Sequence, residues 1–156
     1  MRYRSLQWVF VAAIIGLMWP STAFSLVRFG IRGGVTVDPD QANIGLVASL
    51  PIGVSGVLLQ PNMDFGYGDH QTIVSLNLDT VYKIPMGSDS FKAYAGGGPG
   101  VAIVHGSVGN FTKTSAGASL VLGGAVRLGG FRPLSLEVRA GLGNLQGLKL
   151  LCGITF

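Results

Sequence analysis

The side chains able to do chemistry in this sequence are few and widely spaced. Arg28, Arg32, Lys83, Lys92, Lys113, Arg127, Arg139 and Lys149 stand with Asp38, Asp64, Asp79 and Glu137 on the polar side of an alternating pattern. Packed into a narrow interior, such groups form hydrogen-bonded ion pairs; lining a water-filled path, they favour anions. Glu137 is the acid with the most cations in prospect, because the adjoining segments offer Arg127, Arg139, Lys149 and Arg32. Removing a buried acid of this kind leaves uncompensated cations, at a cost of roughly 3 to 5 kcal/mol.

Other constellations are weaker. In His105-Gly106-Ser107 the two polar side chains share a strand face, and an imidazole beside a hydroxyl can activate it towards an ester. A third group must orient the imidazole, and the segment that follows holds no acid. Asp69, His70 and His105 lack metal-ligand spacing, so no metal is expected. Gly96 to Gly100 has neither the Lys-Ser/Thr nor the following helix of a phosphate loop, and no cofactor is expected. Asn110-Phe111-Thr112 is a formal sequon that matters only in a eukaryote. The single cysteine, Cys152, excludes an intrachain disulfide.

The surroundings of these residues are unusual. Hydrophobic residues make up 48% of the 156-residue chain and charged residues 12%, with 25 glycines. Ordinary soluble domains carry about twice that charge, so the outer surface need not face water. The formal charge of +4 falls to +2 once Arg2 and Arg4 are set aside, and no basic run remains to hold nucleic acid. Those two arginines precede an apolar run from Leu6 to Trp19, followed by small residues at Ser21, Ala23 and Ser25. This is the layout of a secretory signal peptide, residues 1–25, with cleavage after Ser25 or, alternatively, Ala23. Residues 26–156 hold no apolar run long enough for a spanning helix.

Alternation takes the place of helical periodicity in that mature chain, and short Gly, Pro, Asp, Asn and Ser clusters divide it into eight segments. They start at Val27, Asn43, Val57, Val74, Phe91, Lys113, Leu134 and Leu148. The third is typical: Val57, Leu59, Met63, Phe65 and Tyr67 alternate with Gln60, Asn62, Asp64 and Gly66. The fifth is blurred by glycines, with Phe91, Val101 and Ile103 assigned outward and Lys92 and Tyr94 inward.

Three features decide what the apolar faces meet. Eight of the nine mature cations lie on the polar, glycine-rich faces, as a narrow lumen requires. Phe29, Tyr82, Phe91, Phe131 and Phe156 would ring one rim, and Phe65, Tyr67 and Phe111 the other. Most segments are about 9 to 12 residues, the length of a tilted membrane span. The reading is an all-β, eight-stranded antiparallel up-and-down transmembrane β-barrel with its termini on the periplasmic side.

On these residues the mature chain resembles the small eight-stranded outer-membrane barrels of the OmpA and OmpX kind. Tyr94-Ala95-Gly96-Gly97-Gly98 and Leu136 to Gly143 are similar to stretches of that class, as is the final Leu148, Leu150, Cys152, Ile154 and Phe156. The resemblance implies that this terminal stretch is an insertion signal recognised by the outer-membrane assembly machinery, with outer-membrane lipids as the other partners and a monomeric barrel. The chain departs from the class in its short outer turns near Pro39, Asp69, Gly106 to Gly109 and Asn144 to Gly147, which leave little surface for an adhesin or receptor. The His-x-Ser spacing at His105 also resembles the dyad of lipid A deacylases, without their glutamate. The functional expectation is a non-enzymatic envelope-integrity component; the alternatives are a narrow porin-like channel with a cationic lumen and a lipid-acting enzyme using His105 and Ser107.

Overall fold

The computed structural model describes residues 27–68, 70–87, 90–106, 111–127, 132–145 and 147–156. The expected signal peptide with Ser25, and also Phe131 and Ser107, lie outside the described residues. Eight strands follow one another: β1 Arg28–Val37, β2 Gln41–Pro51, β3 Val57–Gly68, β4 Gln71–Ile84, β5 Phe91–Gly106, β6 Phe111–Val126, β7 Leu134–Gly143 and β8 Leu148–Thr155. Each pairs antiparallel with its neighbour, and β1 pairs with β8, so the sheet closes on itself as the alternation predicted. Closure removes the free edges that would otherwise leave backbone polar groups unpaired in lipid.

The distribution of polarity is inside out. Among the described residues thirty large hydrophobic side chains are exposed, whereas six hydrophobic residues are buried beside fourteen buried polar or charged ones. No water-soluble domain gains by that arrangement, so the wall faces lipid. On β7, Leu134, Leu136, Val138, Ala140 and Leu142 point out, a stretch of about 27 Å along the strand and somewhat less in height once the strand tilts. That matches an apolar band of about 25 Å.

The aromatic side chains lie near the ends of this band. Phe29, Tyr82, Phe91 and Phe156 are exposed at the end that carries the termini, with the Arg132 guanidinium 4.2 Å from the centre of the Phe156 ring. Tyr67 and Phe111 are exposed at the far end, and Phe65 two residues nearer the middle. Tyr94, pointing inward, is one exception; Phe111 is the other, since it shares the alternate face of Ser115 and Ser119, lies over Gly106 and so does not join the expected outward ring.

The wall is uneven in height. The β5–β6 hairpin runs 16 residues on each side, while β8 has only eight. β6 meets β7 from Gly117 onward, so residues 111–116 rise past the end of β7. There the outward positions turn polar, to His105, Thr112 and Thr114, which places the hairpin tip above the apolar band. Pro61 and Pro99, which lack an N–H, sit beside the two interruptions of the β2–β3 and β4–β5 ladders. The far-end turns are short, as read, while the longer connections lie at the end with the termini.

Candidate functional site in the barrel lumen

Period-two geometry sends every second side chain of each strand inward, and eight strands leave an interior only just wide enough to be filled by them. Closure and register then decide which of those side chains meet. Arg32 is the most connected. Its Nε and Nη2 donate to the two carboxylate oxygens of Asp64 at 2.9 and 3.0 Å, Nη1 to Glu137 Oε1 at 2.9 Å, and Nη2 also to Asn62 Oδ1 at 2.7 Å. Arg139 reaches Asp79 Oδ2 at 2.7 Å and Glu137 Oε1 at 3.1 Å. Lys149 Nζ donates to Ser75 Oγ at 2.9 Å and stands 3.5 Å from Asp64 Oδ2.

Three cations therefore neutralise three acids, and neutral groups take up most of the remaining hydrogen-bond capacity. Asp79 also accepts from Ser119 and Asn62, each at 2.7 Å, and the Tyr94 hydroxyl donates to Glu137 Oε2 at 3.1 Å. Asp64 and Asp79 have no accessible surface at all, and Arg139 retains 3%. Buried charges persist in low dielectric only when paired and hydrogen-bonded in this way. Glycine supplies the room: a Cβ on Gly45 would collide with the Asp64 carboxylate, and one on Gly123 with the Tyr94 ring.

Glu137 belongs to this network, but two of its expected partners go elsewhere. Lys149 is drawn to Asp64 and Ser75, and Arg127 lies beyond the end of β6, where the lumen opens. Arg28, Lys83 and Lys92 line the same opening, and Lys113 is exposed at the far rim. Asp38 is exposed in the β1–β2 turn. None of these six makes an ion pair among the described residues, because their positions at strand ends leave them outside the packed middle. Asn62, Ser75, Asn77, Ser119 and Tyr94 had no assigned role in the network; their place on the same alternate face as Asp64 and Asp79 is the signal that identifies them.

The lumen changes character along its axis. Towards the far end Ile73, Ala102 and Val104 form a small apolar cluster, and Leu145 from the β7–β8 turn packs against it. Between this lid and the ion pairs a cavity of only about 30 Å3 remains. Towards the terminal end the lumen widens into a cavity of about 280 Å3, with Tyr94 and Glu137 among its lining residues.

On the outer surface, His105 Nδ1 is 3.1 Å from Thr112 Oγ1, and Ser107 lies outside the described residues. No cluster of three metal-ligating side chains occurs among the described residues. Cys152 is exposed on the outward face of β8 together with Leu148, Leu150 and Ile154, and Phe156 follows the strand.

No family model matches the sequence, and no curated protein matches it. Solved structures do match. The Neisserial surface protein A superposes with a TM-score of 0.64 at 13% identity, over 83% of this chain and 94% of that one. The N-terminal β-barrel domain of Pseudomonas aeruginosa OprF gives 0.63 at 13%, over 83% and 96%. The outer membrane enzyme PagL gives 0.50 at 15%, over 83% and 98%. At such identities the likeness concerns fold, and a fold shared by an enzyme and other barrels does not itself assign a reaction. The closed topology, the lipid-facing wall and these superpositions together show that the chain has the fold of the small eight-stranded outer-membrane β-barrels.

Proposed function

We propose that this protein is a non-enzymatic structural component of the bacterial outer membrane, exported with its first 25 residues removed and contributing to envelope integrity as a sealed barrel. The observation that carries this reading is the neutral network of Arg32, Arg139, Lys149, Asp64, Asp79 and Glu137 across the middle of the lumen. A path for ions would have to separate buried charges whose desolvation is repaid only by their mutual contacts. The short far-end turns support the same reading, since they offer little surface for a receptor.

The test has two parts. The refolded mature chain, inserted into a planar bilayer, is expected to show no unitary conductance. Deletion of the gene is expected to make the envelope leak a periplasmic enzyme, and Glu137→Ala that still inserts is expected to restore the barrier. Steady conductance whose selectivity changes in Arg139→Gln would replace this reading with the narrow channel. The lipid-acting alternative draws on His105, whose ring meets Thr112 and no carboxylate among the described residues. Lipid A from overproducing cells is expected to be unchanged; a loss of acyl chains that disappears in His105→Ala would establish the enzyme instead.

A further inference from the structure

The two ends of the lumen differ in a way that sealing does not require. The far end is closed by apolar packing, whereas at the end with the termini the described residues leave a cavity with a positively charged lining. Arg28 on β1, Lys83 on β4, Lys92 on β5 and Arg127 just after β6 all line the same cavity. They come from different sides of the barrel, and Lys83 lies close enough to feel the charge of both Arg28 and Lys92. None of the four makes an ion pair among the described residues.

Glu137 is the one acid among the described lining residues, and it is committed to Arg32, Arg139 and Tyr94. Asp89, on the β4–β5 connection, lies outside the described residues; its single carboxylate would leave most of this charge uncompensated. Four cations without an acid partner among the described residues, gathered at one cavity, repel one another, and a barrel that needed only to be plugged would gain by replacing them. A ligand of opposite charge removes the repulsion.

The cavity limits what that ligand is. A volume of about 280 Å3 equals that of roughly nine water molecules, enough for a compact anion with a few waters but not for a folded segment. Val47, Leu58, Val81 and Leu151 form apolar parts of the wall, which lowers the local dielectric and strengthens attraction to several charges held together. Cations spaced around an opening suit an anion whose oxygens point in several directions. We propose that this vestibule binds a compact polyvalent anion of the phosphate or pyrophosphate type, carried either by a soluble ester or by a lipid headgroup. The proposal rests on the charge and shape of the vestibule and holds whether or not the lumen conducts.

Inorganic pyrophosphate is the first probe. The full mature chain is folded into nanodiscs of zwitterionic lipid and titrated by calorimetry at low salt, with the boiling-dependent gel shift as the check of folding for every variant. Saturable binding of one anion per barrel is expected, weakening as salt is raised. The double variant Lys83→Gln/Lys92→Gln is expected to weaken it about tenfold or more, since two charge-assisted contacts are lost. Lys113→Gln at the far rim and Arg132→Gln outside the vestibule are expected to leave it unchanged. Should the first pair fail the folding check, Arg28→Gln/Arg127→Gln, both at exposed positions, takes its place.

Absence of saturable binding at low salt overturns the proposal, as does equal affinity in the vestibule variants or an equal loss in Lys113→Gln. Repeating the titration in discs that contain anionic phospholipid separates the two sources. Loss of the pyrophosphate signal there identifies headgroup phosphate as the occupant, and an unchanged signal identifies a soluble ester.

Discussion

The middle of the lumen and its vestibule are built from the same residue types and behave in opposite ways. In the middle, Arg32, Arg139 and Lys149 are buried and share three acids in five ion pairs. A few residues further along the same strands or their neighbours, Arg28, Lys83 and Lys92 lack such partners among the described residues. The difference follows from water. A charge at the packed centre must be neutralised or it destabilises the fold, while a charge at the mouth keeps much of its hydration and is free to serve something else. Position along the strand, rather than residue type, separates structure from prospective binding.

Removing an acid from the middle is the most severe way to break this comparison. Asp64→Ala leaves Lys149 with no carboxylate and takes the bidentate partner from Arg32, which keeps only Glu137, and a loss of roughly 3 to 5 kcal/mol is expected. The measurement is urea unfolding of the barrel from lipid vesicles, followed by the gel shift. Glu137→Ala is expected to cost less, about 3 kcal/mol, because Arg32 keeps Asp64 and Arg139 keeps Asp79 when Glu137 is gone. A larger loss for Glu137 than for Asp64 would show that the network has a single hub at its vestibule side. Gly123→Ala tests packing without touching a charge. The new methyl group would press on the Tyr94 ring and displace its hydroxyl from Glu137, a change of about 1 to 3 kcal/mol by the same assay.

Much of this architecture was legible in the sequence, because a strand has a period of two and a barrel has two environments. Alternation alone put Met63 and Phe65 outside and Asn62 and Asp64 inside, and the structure has them so. It also oriented β5, where Lys92 and Tyr94 line the lumen while Val101 and Ile103 are exposed, despite the glycines that weaken the pattern. The partners were less legible. Arg32 and Glu137 are 105 residues apart and lie on strands that are not hydrogen-bonded to each other. Only the stagger of the closed sheet brings them to one level, and stagger is not written in any single strand. The expected contacts of Glu137 with Lys149 and Arg127 failed for that reason. Leu145 was missed because a turn residue has no face until the turn is folded, and here it caps the lumen.

The smallest expected effect sharpens the comparison most. Lys83→Gln removes a cation that has no carboxylate partner among the described residues and lies near Arg28 and Lys92, so the repulsion it contributed disappears. Its effect on unfolding in the absence of added polyanion is expected to stay within about 0.5 kcal/mol, with any change towards greater stability. Raising the salt should abolish even that gain, since screening already suppresses repulsion between hydrated charges. Asp64→Ala should respond far less to salt, because Lys149, left without a carboxylate, and Arg32, left with one, are buried where counterions do not follow. A stability loss of several kcal/mol in Lys83→Gln would mean that the mouth cations hold the barrel together as the middle ones do. The vestibule would then be part of the plug, and the division of the lumen into a structural middle and a binding end would fail.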